Sequence, residues 1–279
     1  PRVGRPRGIE LVTALRKAFT ALAAERPVLF VLEDLHAVDD ETRQLLVLLV
    51  AGLRDARVLV LFTARPGMAL PHLHVERVKL EPLDGEATGR LFAQRVGARA
   101  VEEDLLTRLH HATGGNPATI ELLAESLANH GELGVTGSLV HRLPETLPVP
   151  SRLKASVASR VASLPKRARS VVRTLAAAEA PMDFPLLAAV EGIPRDVAEP
   201  LVQRLLGRGL LRGFGATRMG SRTSELPTSG HEPLPARLAI EGGELVKRAI
   251  LESLPDNERE RVHSRIADVL RRSGAGSDD

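Results

Sequence analysis

The sequence predicts an α/β unit built on a parallel sheet, followed by an all-α half that carries a two-stranded wing. Three observations predict it: a strand–helix–strand pattern between residues 28 and 62, a succession of helix-length amphipathic segments from residue 85 onward, and a late pair of short apolar runs around a long polar loop. Val28 to Leu32 is a continuous apolar run, too short for a helix and set between Pro27 and an acidic pair, so it reads as a buried parallel strand. Thr42 to Leu53 reads as a helix with Asp39 and Asp40 as candidate caps, and Val58 to Phe62 as a second buried strand. Strand, helix and strand in that order imply a right-handed crossover in an open sheet. Ahead of them, Arg5 to Glu25 carries Leu11, Leu15, Ala18, Phe19 and Leu22 at helical spacing.

After the second strand, Thr63-Ala64-Arg65-Pro66-Gly67 reads as a turn leaving the sheet, and Val75 to Leu80 as a third short strand. Helices follow over about Gly85 to Arg95, Glu102 to Thr113 and Asn116 to His130. Gly131 to Pro150, rich in Gly and Pro, reads as a linker. Beyond it, Ser151 to Ser163, Lys166 to Ala178, Phe184 to Glu191 and Asp196 to Arg208 read as short helices. Gly209 to Arg212 and Arg237 to Ile240 read as antiparallel strands, and Glu244 to Leu254 and Asp256 to Arg272 as closing helices. Helices with a two-stranded wing are the pattern of a winged-helix domain.

Composition bounds the function. At 279 residues the chain is long enough for two cores, and 43% hydrophobic with 26% charged residues is ordinary for globular proteins, which excludes global disorder. There is no Cys, hence no disulfide, thiolate zinc site or cysteine nucleophile. With no Trp, no Tyr and six Phe, base stacking on aromatic rings has little to use. No signal peptide or membrane-length apolar run is present, so a cytoplasmic protein with no membrane partner is expected. The net charge of +3 is uneven, residues 150 to 279 being the basic half.

The chemistry concentrates at the end of the first strand. Glu33 and Asp34 stand where open α/β sheets place their ligands, and two carboxylates there point to a metal and phosphates. His72 and His74 alternate but find no third ligand nearby. Of His110 and His111, neighbours on one helix, one is expected at the surface and one partly buried. Lys166, Arg167, Arg169 and Arg173 form a basic cluster that is either a solvated face or a DNA contact.

These pieces, in order, resemble the signal-transduction ATPases with numerous domains, the STAND class, relatives of the AAA ATPases found in bacterial LuxR-type regulators, serine/threonine kinases and adenylyl cyclases. The resemblance is carried by LVLEDLH-type Walker B residues at Leu29 to His36 with Asp39, the Thr63-Ala64-Arg65 turn, Leu80 to Asp84, and Thr113-Gly114-Gly115-Asn116-Pro117. It continues at Leu153 to Pro165, Leu201 to Leu211 and Arg261 to Leu270. It implies a partial P-loop NTPase core at 1–80 with Walker B and sensor 1, a helical lid and linker at 81–148, and a winged-helix regulatory domain at 149–279. It also implies ATP/ADP and Mg2+ as cofactors. Glu33 and Asp34 would be the metal and catalytic carboxylates; residue order does not decide which does which, and the favoured division is Glu33 nearer the metal and Asp34 nearer the attacking water. Arg65 would sense the terminal phosphate, Pro117 beside Asn116 would lie against adenine, and His36 would link the site to the lid.

The sequence departs from the family in one large respect: no Gly-x-x-x-x-Gly-Lys-Ser/Thr string occurs. Either the chain is a fragment whose phosphate loop lies upstream, or it is a degenerate ATPase that kept the fold. Ala37-Val38 replaces the usual aromatic, and Glu241-Gly242-Gly243 replaces the family's Arg-His ahead of the final helices. The resulting expectation is an ATP-binding, ATP-hydrolysing regulatory switch of a signal-transduction or transcription-regulatory protein, with an upstream P-loop segment, output or sensor domains and protein partners. The alternatives are a DNA-binding winged-helix regulator or a nucleotide-free scaffold.

Overall fold

Pro27 has no N–H with which to prolong a helix, and there the chain passes from helix α1 (Gly8–Glu25) into strand β1 (Val28–Leu32). The computed structural model describes residues 8–65, 70, 73, 75–216 and 234–274. These fold as two compact units, residues 1–79 and 80–279.

In the first unit β1 leads through a short 3-10 turn (Leu35–Ala37) to α2 (Asp40–Ala51) and then to β2 (Val58–Phe62). The two strands pair in parallel from Val28↔Val58 to Leu32↔Phe62. Asp39, rather than Asp40, caps α2, its Oδ1 accepting from the Thr42 N–H at 2.7 Å. The last turn of α1 has no basic residue of its own, and Arg57 supplies one. Its guanidinium donates to the Ala23 carbonyl at 3.0 Å and the Ala24 carbonyl at 2.7 Å, meeting acceptors that a helix end leaves unpaired. Phe19 packs on Phe30 with ring centroids 4.9 Å apart, fixing α1 to the sheet.

Two expectations need correction here. Both strands alternate between half-buried and exposed positions: Phe30, Leu32, Val60 and Phe62 are half-covered, whereas Leu29, Val31, Leu59 and Leu61 lie open, Leu59 at 66%. A parallel sheet is buried on both faces only when helices cover both, and here one face is covered. Residues 75–80 form no strand; Val78 and Leu80 are 81% and 89% exposed. Alternating apolar residues make a strand only when an edge is there to receive them.

The second unit begins with α3 (Gly85–Arg95), capped by Asp84, whose Oδ1 accepts from the Ala87 N–H at 2.7 Å. Strand β3 (Ala100–Val101), α4 (Glu103–Thr113) and α5 (Pro117–His130) follow. The expected linker at 131–150 instead contains a hairpin, β4 (Gly134–Thr136) and β5 (Leu139–Arg142), joined by Gly137-Ser138; β5 also pairs in parallel with β3. Gly137 takes φ 61°, as a two-residue hairpin turn requires. Strands of three and four residues with little apolar content leave a weak trace in sequence.

The chain then forms α6 (Ser151–Ala162), α7 (Lys166–Ala177), β6 (Met182–Asp183), α8 (Phe184–Glu191) and α9 (Arg195–Gly207). It ends in β7 (Leu211–Ala216), β8 (Pro235–Ile240), α10 (Gly243–Glu252) and α11 (Asp256–Gly274). β8 lies between β6 and β7, antiparallel to both. A continuous core joins Phe92, Leu109, Ile120 and Leu127 of the first helices to Val172, Leu175, Leu205, Leu238 and Leu245 of the later elements. Polar ties reinforce it: Arg173 pairs with Glu258 at 2.9 Å, Arg248 donates to the Leu147 carbonyl at 2.6 Å, and the nearly buried Glu191 accepts from the Thr174 hydroxyl with Arg265 nearby.

Candidate functional site

Asp34 is, among the described residues, the one non-glycine with positive φ, at φ 53° and ψ 42°. That left-handed conformation costs an L-residue roughly 1–2 kcal/mol, and Asp and Asn visit it most readily because their short side chains bond locally. It persists where the surroundings over-determine it. Here Thr63, one residue past β2, meets the turn three times. Its N–H donates to the Leu32 carbonyl at 3.0 Å, its Oγ1 accepts from the Asp34 N–H at 2.9 Å, and its carbonyl accepts from the Leu35 N–H at 2.9 Å. The Ala37 N–H closes the other side on the Asp34 carbonyl at 2.8 Å, and Leu35 next to it is buried, 1% exposed.

The turn leaves Glu33 and Asp34 exposed at the carboxyl end of β1. Because β1 and β2 run parallel, exposed Arg65 leaves the sheet from the same end. The His36 ring is partly buried, its Nδ1 3.8 Å from Asp34 Oδ1, beyond hydrogen-bonding reach but close enough to pair when the ring is protonated. That nitrogen is enclosed and finds no hydrogen-bond partner among the described residues. Asp39, five residues past Asp34, works as a cap: the Thr42 backbone N–H first and then the Thr42 hydroxyl hold its carboxyl below the usual carboxylate range, against a smaller opposing effect of burial and with a still smaller help from Arg43. Among the described residues no three His, Cys, Asp or Glu side chains gather into a metal cage. A magnesium ion that keeps most of its water needs only one or two carboxylates, and Glu33 and Asp34 have that donor chemistry and exposure.

Asn116 and Pro117 belong to the second unit. Asn116 caps α5, its Oδ1 accepting from the Thr119 N–H at 3.2 Å, and Pro117 opens the helix where a missing N–H is harmless. Gly114 and Gly115, at φ 62° and 67°, bring the chain from α4 into this cap. A side chain at Gly115 would stand 2.2 Å from the Leu83 carbonyl oxygen, and one at Gly243 would stand 2.4 Å from the Gly114 nitrogen. The Asn116 turn is thus clamped between Leu83 and the start of α10, and the Gly242-Gly243 pair, a departure in the sequence, is what that approach requires. The structure therefore brings Glu33, Asp34, His36 and Arg65 to one end of one sheet, and sets Asn116 and Pro117 in a separate glycine-lined turn.

Sequence reasoning assigned no role to Thr63 and did not pair Gly114 with Gly243; a hydroxyl directly after a strand, and two Gly-Gly doublets, were the available signs. His110 is half-buried and His111 exposed. His72, His74, Pro66 and Gly67 lie outside the described residues. Lys166 and Arg167 are exposed at the start of α7, whereas α9 mixes Arg195 and Arg204 with Asp196 and Glu199.

No protein-family model and no curated protein matches the chain. Among solved structures, a signal transduction ATPase with numerous domains that carries a tetratricopeptide repeat sensor, from Pyrococcus horikoshii, is similar at 16% identity and a TM-score of 0.36. The likeness covers 97% of this chain and 34% of that one, so the chain spans about a third of that protein's length.

Proposed function

We propose that the chain is the regulatory module of a STAND-type ATPase of bacterial signalling, in which a nucleotide held at the end of the β1–β2 sheet sets the arrangement of lid and winged-helix parts. The observation that carries this reading is the pinned left-handed turn that presents Glu33 and Asp34 at the carboxyl end of a parallel strand beside the loop of Arg65. Chains spend strain on such a turn where function demands it. Glu33 and Asp34 would hold Mg2+ through its water, and Arg65 would face the terminal phosphate of ATP. The bound ion would supply charge neutralisation for the phosphates, and Asp34 would orient water. The sequence holds no Walker A loop, so the phosphates would be held through the ion and Arg65 alone, and micromolar rather than tight affinity is expected. We read α7, β6, α8, α9, β7 and β8 as the winged helix: three helices with a sheet in the order β6-β8-β7 support it.

Calorimetric titration of the chain with MgATP and MgADP tests the reading. Micromolar binding that disappears in Asp34→Ala supports it; absence of binding leaves a protein-interaction scaffold as the better account of this chain. DNA binding has one observation in favour, the exposed Lys166 and Arg167 at the start of α7. Anisotropy on mixed duplex DNA at low salt checks it: affinity that falls steeply with salt and with both residues neutralised is its signature, and a flat titration removes it.

A further inference from the structure

We propose that Thr63 is the positioning residue of the candidate site, its hydroxyl holding the Asp34 peptide so that the carboxylate projects from the sheet end in one direction. This inference rests on the nucleotide reading of the site for its purpose, but not for its geometry. The direction of a Cα–Cβ bond is set by the two peptide planes that flank it. At Asp34 one plane is tied by its N–H to Thr63 Oγ1 at 2.9 Å, and the other by its carbonyl to the Ala37 N–H at 2.8 Å. The carboxylate itself remains 79% exposed and so is free for a ligand.

The hydroxyl is not demanded by packing. Thr63 is exposed, and the Asp34 N–H could be satisfied by water instead. Valine has the same shape and an equal liking for a strand end, so a merely structural residue here would not need its oxygen. Thr63 also stands two residues before Arg65, at the end of the strand registered against β1. One residue thereby references the acidic turn and the basic loop to each other.

The test uses the whole 279-residue chain with Thr63→Val, which keeps shape and removes the oxygen, and Thr63→Ser, which restores it. Amide hydrogen exchange by NMR reads the geometry. The Asp34 N–H is expected to exchange about tenfold faster in Thr63→Val, the equivalent of one lost hydrogen bond. It stays within about threefold of wild type in Thr63→Ser, and the Ile120 amide of the second unit is unchanged in both. MgATP calorimetry reads the purpose: affinity about tenfold weaker in Thr63→Val and within about twofold in Thr63→Ser. An Asp34 exchange rate unchanged in Thr63→Val, or equally raised in Thr63→Ser, overturns the proposal. So does faster exchange with undiminished MgATP affinity, because the pin would then place nothing. If wild type takes up no MgATP, the nucleotide reading falls, while the exchange rates still decide whether Thr63 holds the turn.

Discussion

Strand β1 and helix α5 are both rich in apolar residues, yet they end in different surroundings. In α5, Ile120, Leu123, Ala124 and Leu127 are wholly buried, whereas in β1 alternate residues stand open, with Val31 43% exposed. A helix needs one partner face, and α5 finds it on α3, α4 and α6. A parallel strand needs cover on two faces, and the first unit provides helices for one. An apolar run in sequence therefore measures a demand for burial, and the number of neighbouring layers decides whether it is met.

Substitutions break or sharpen this contrast in order of size. Phe92→Ala, in the wholly buried core of the second unit, is expected to cost about 3–5 kcal/mol. Urea unfolding followed by far-UV circular dichroism measures it, since the chain has no Trp or Tyr to report by fluorescence. Gly243→Ala is expected to cost about 3 kcal/mol, because positive φ and a backbone atom 2.4 Å from the new methyl leave nothing flexible to give way. Leu59→Ala, on the open face of the first unit, should change stability by no more than about 0.5 kcal/mol. A loss of several kcal/mol there would show that this face is covered in solution and would end the contrast.

The smallest effect concerns Asp39. Its folded carboxyl titrates below the ordinary 3.8, so its contribution is complete above that value and is lost as pH falls through the lower folded one. Asp39→Asn keeps a capping oxygen but cannot titrate. It should flatten the acid limb of the melting temperature measured from about pH 5 to about pH 2, with little change at neutral pH.

Much of the fold was legible one element at a time. Val28–Leu32 and Val58–Phe62 fall where length and β-branching put them, and Asp39, Asp84 and Asn116 sit at helix starts because a short acceptor side chain satisfies an otherwise orphan N–H. The hairpin at 134–142 was not legible, since its strands are short and β5 is completed by pairing with β3 from far earlier in the chain. Residues 75–80 misled in the opposite direction: their alternation is local, and the sheet edge it calls for is a tertiary matter.

The candidate site divides along the same line. Which acids stand at the end of the first strand, and that Arg65 follows the second, could be read from residue order, because a strand's carboxyl end is a property of its own segment. That Asp34 is turned left-handed, that Thr63 from 29 residues away pins it, and that Gly114 meets Gly243 could not be read, because each depends on two distant backbones approaching. Sequence by itself determined the helices, the strands β1 and β2, several caps and which residues stand at the strand ends, since these follow from interactions within a few residues. Only the tertiary structure decided which apolar faces are covered and how the site is aimed, since those depend on contacts that chain order does not encode locally.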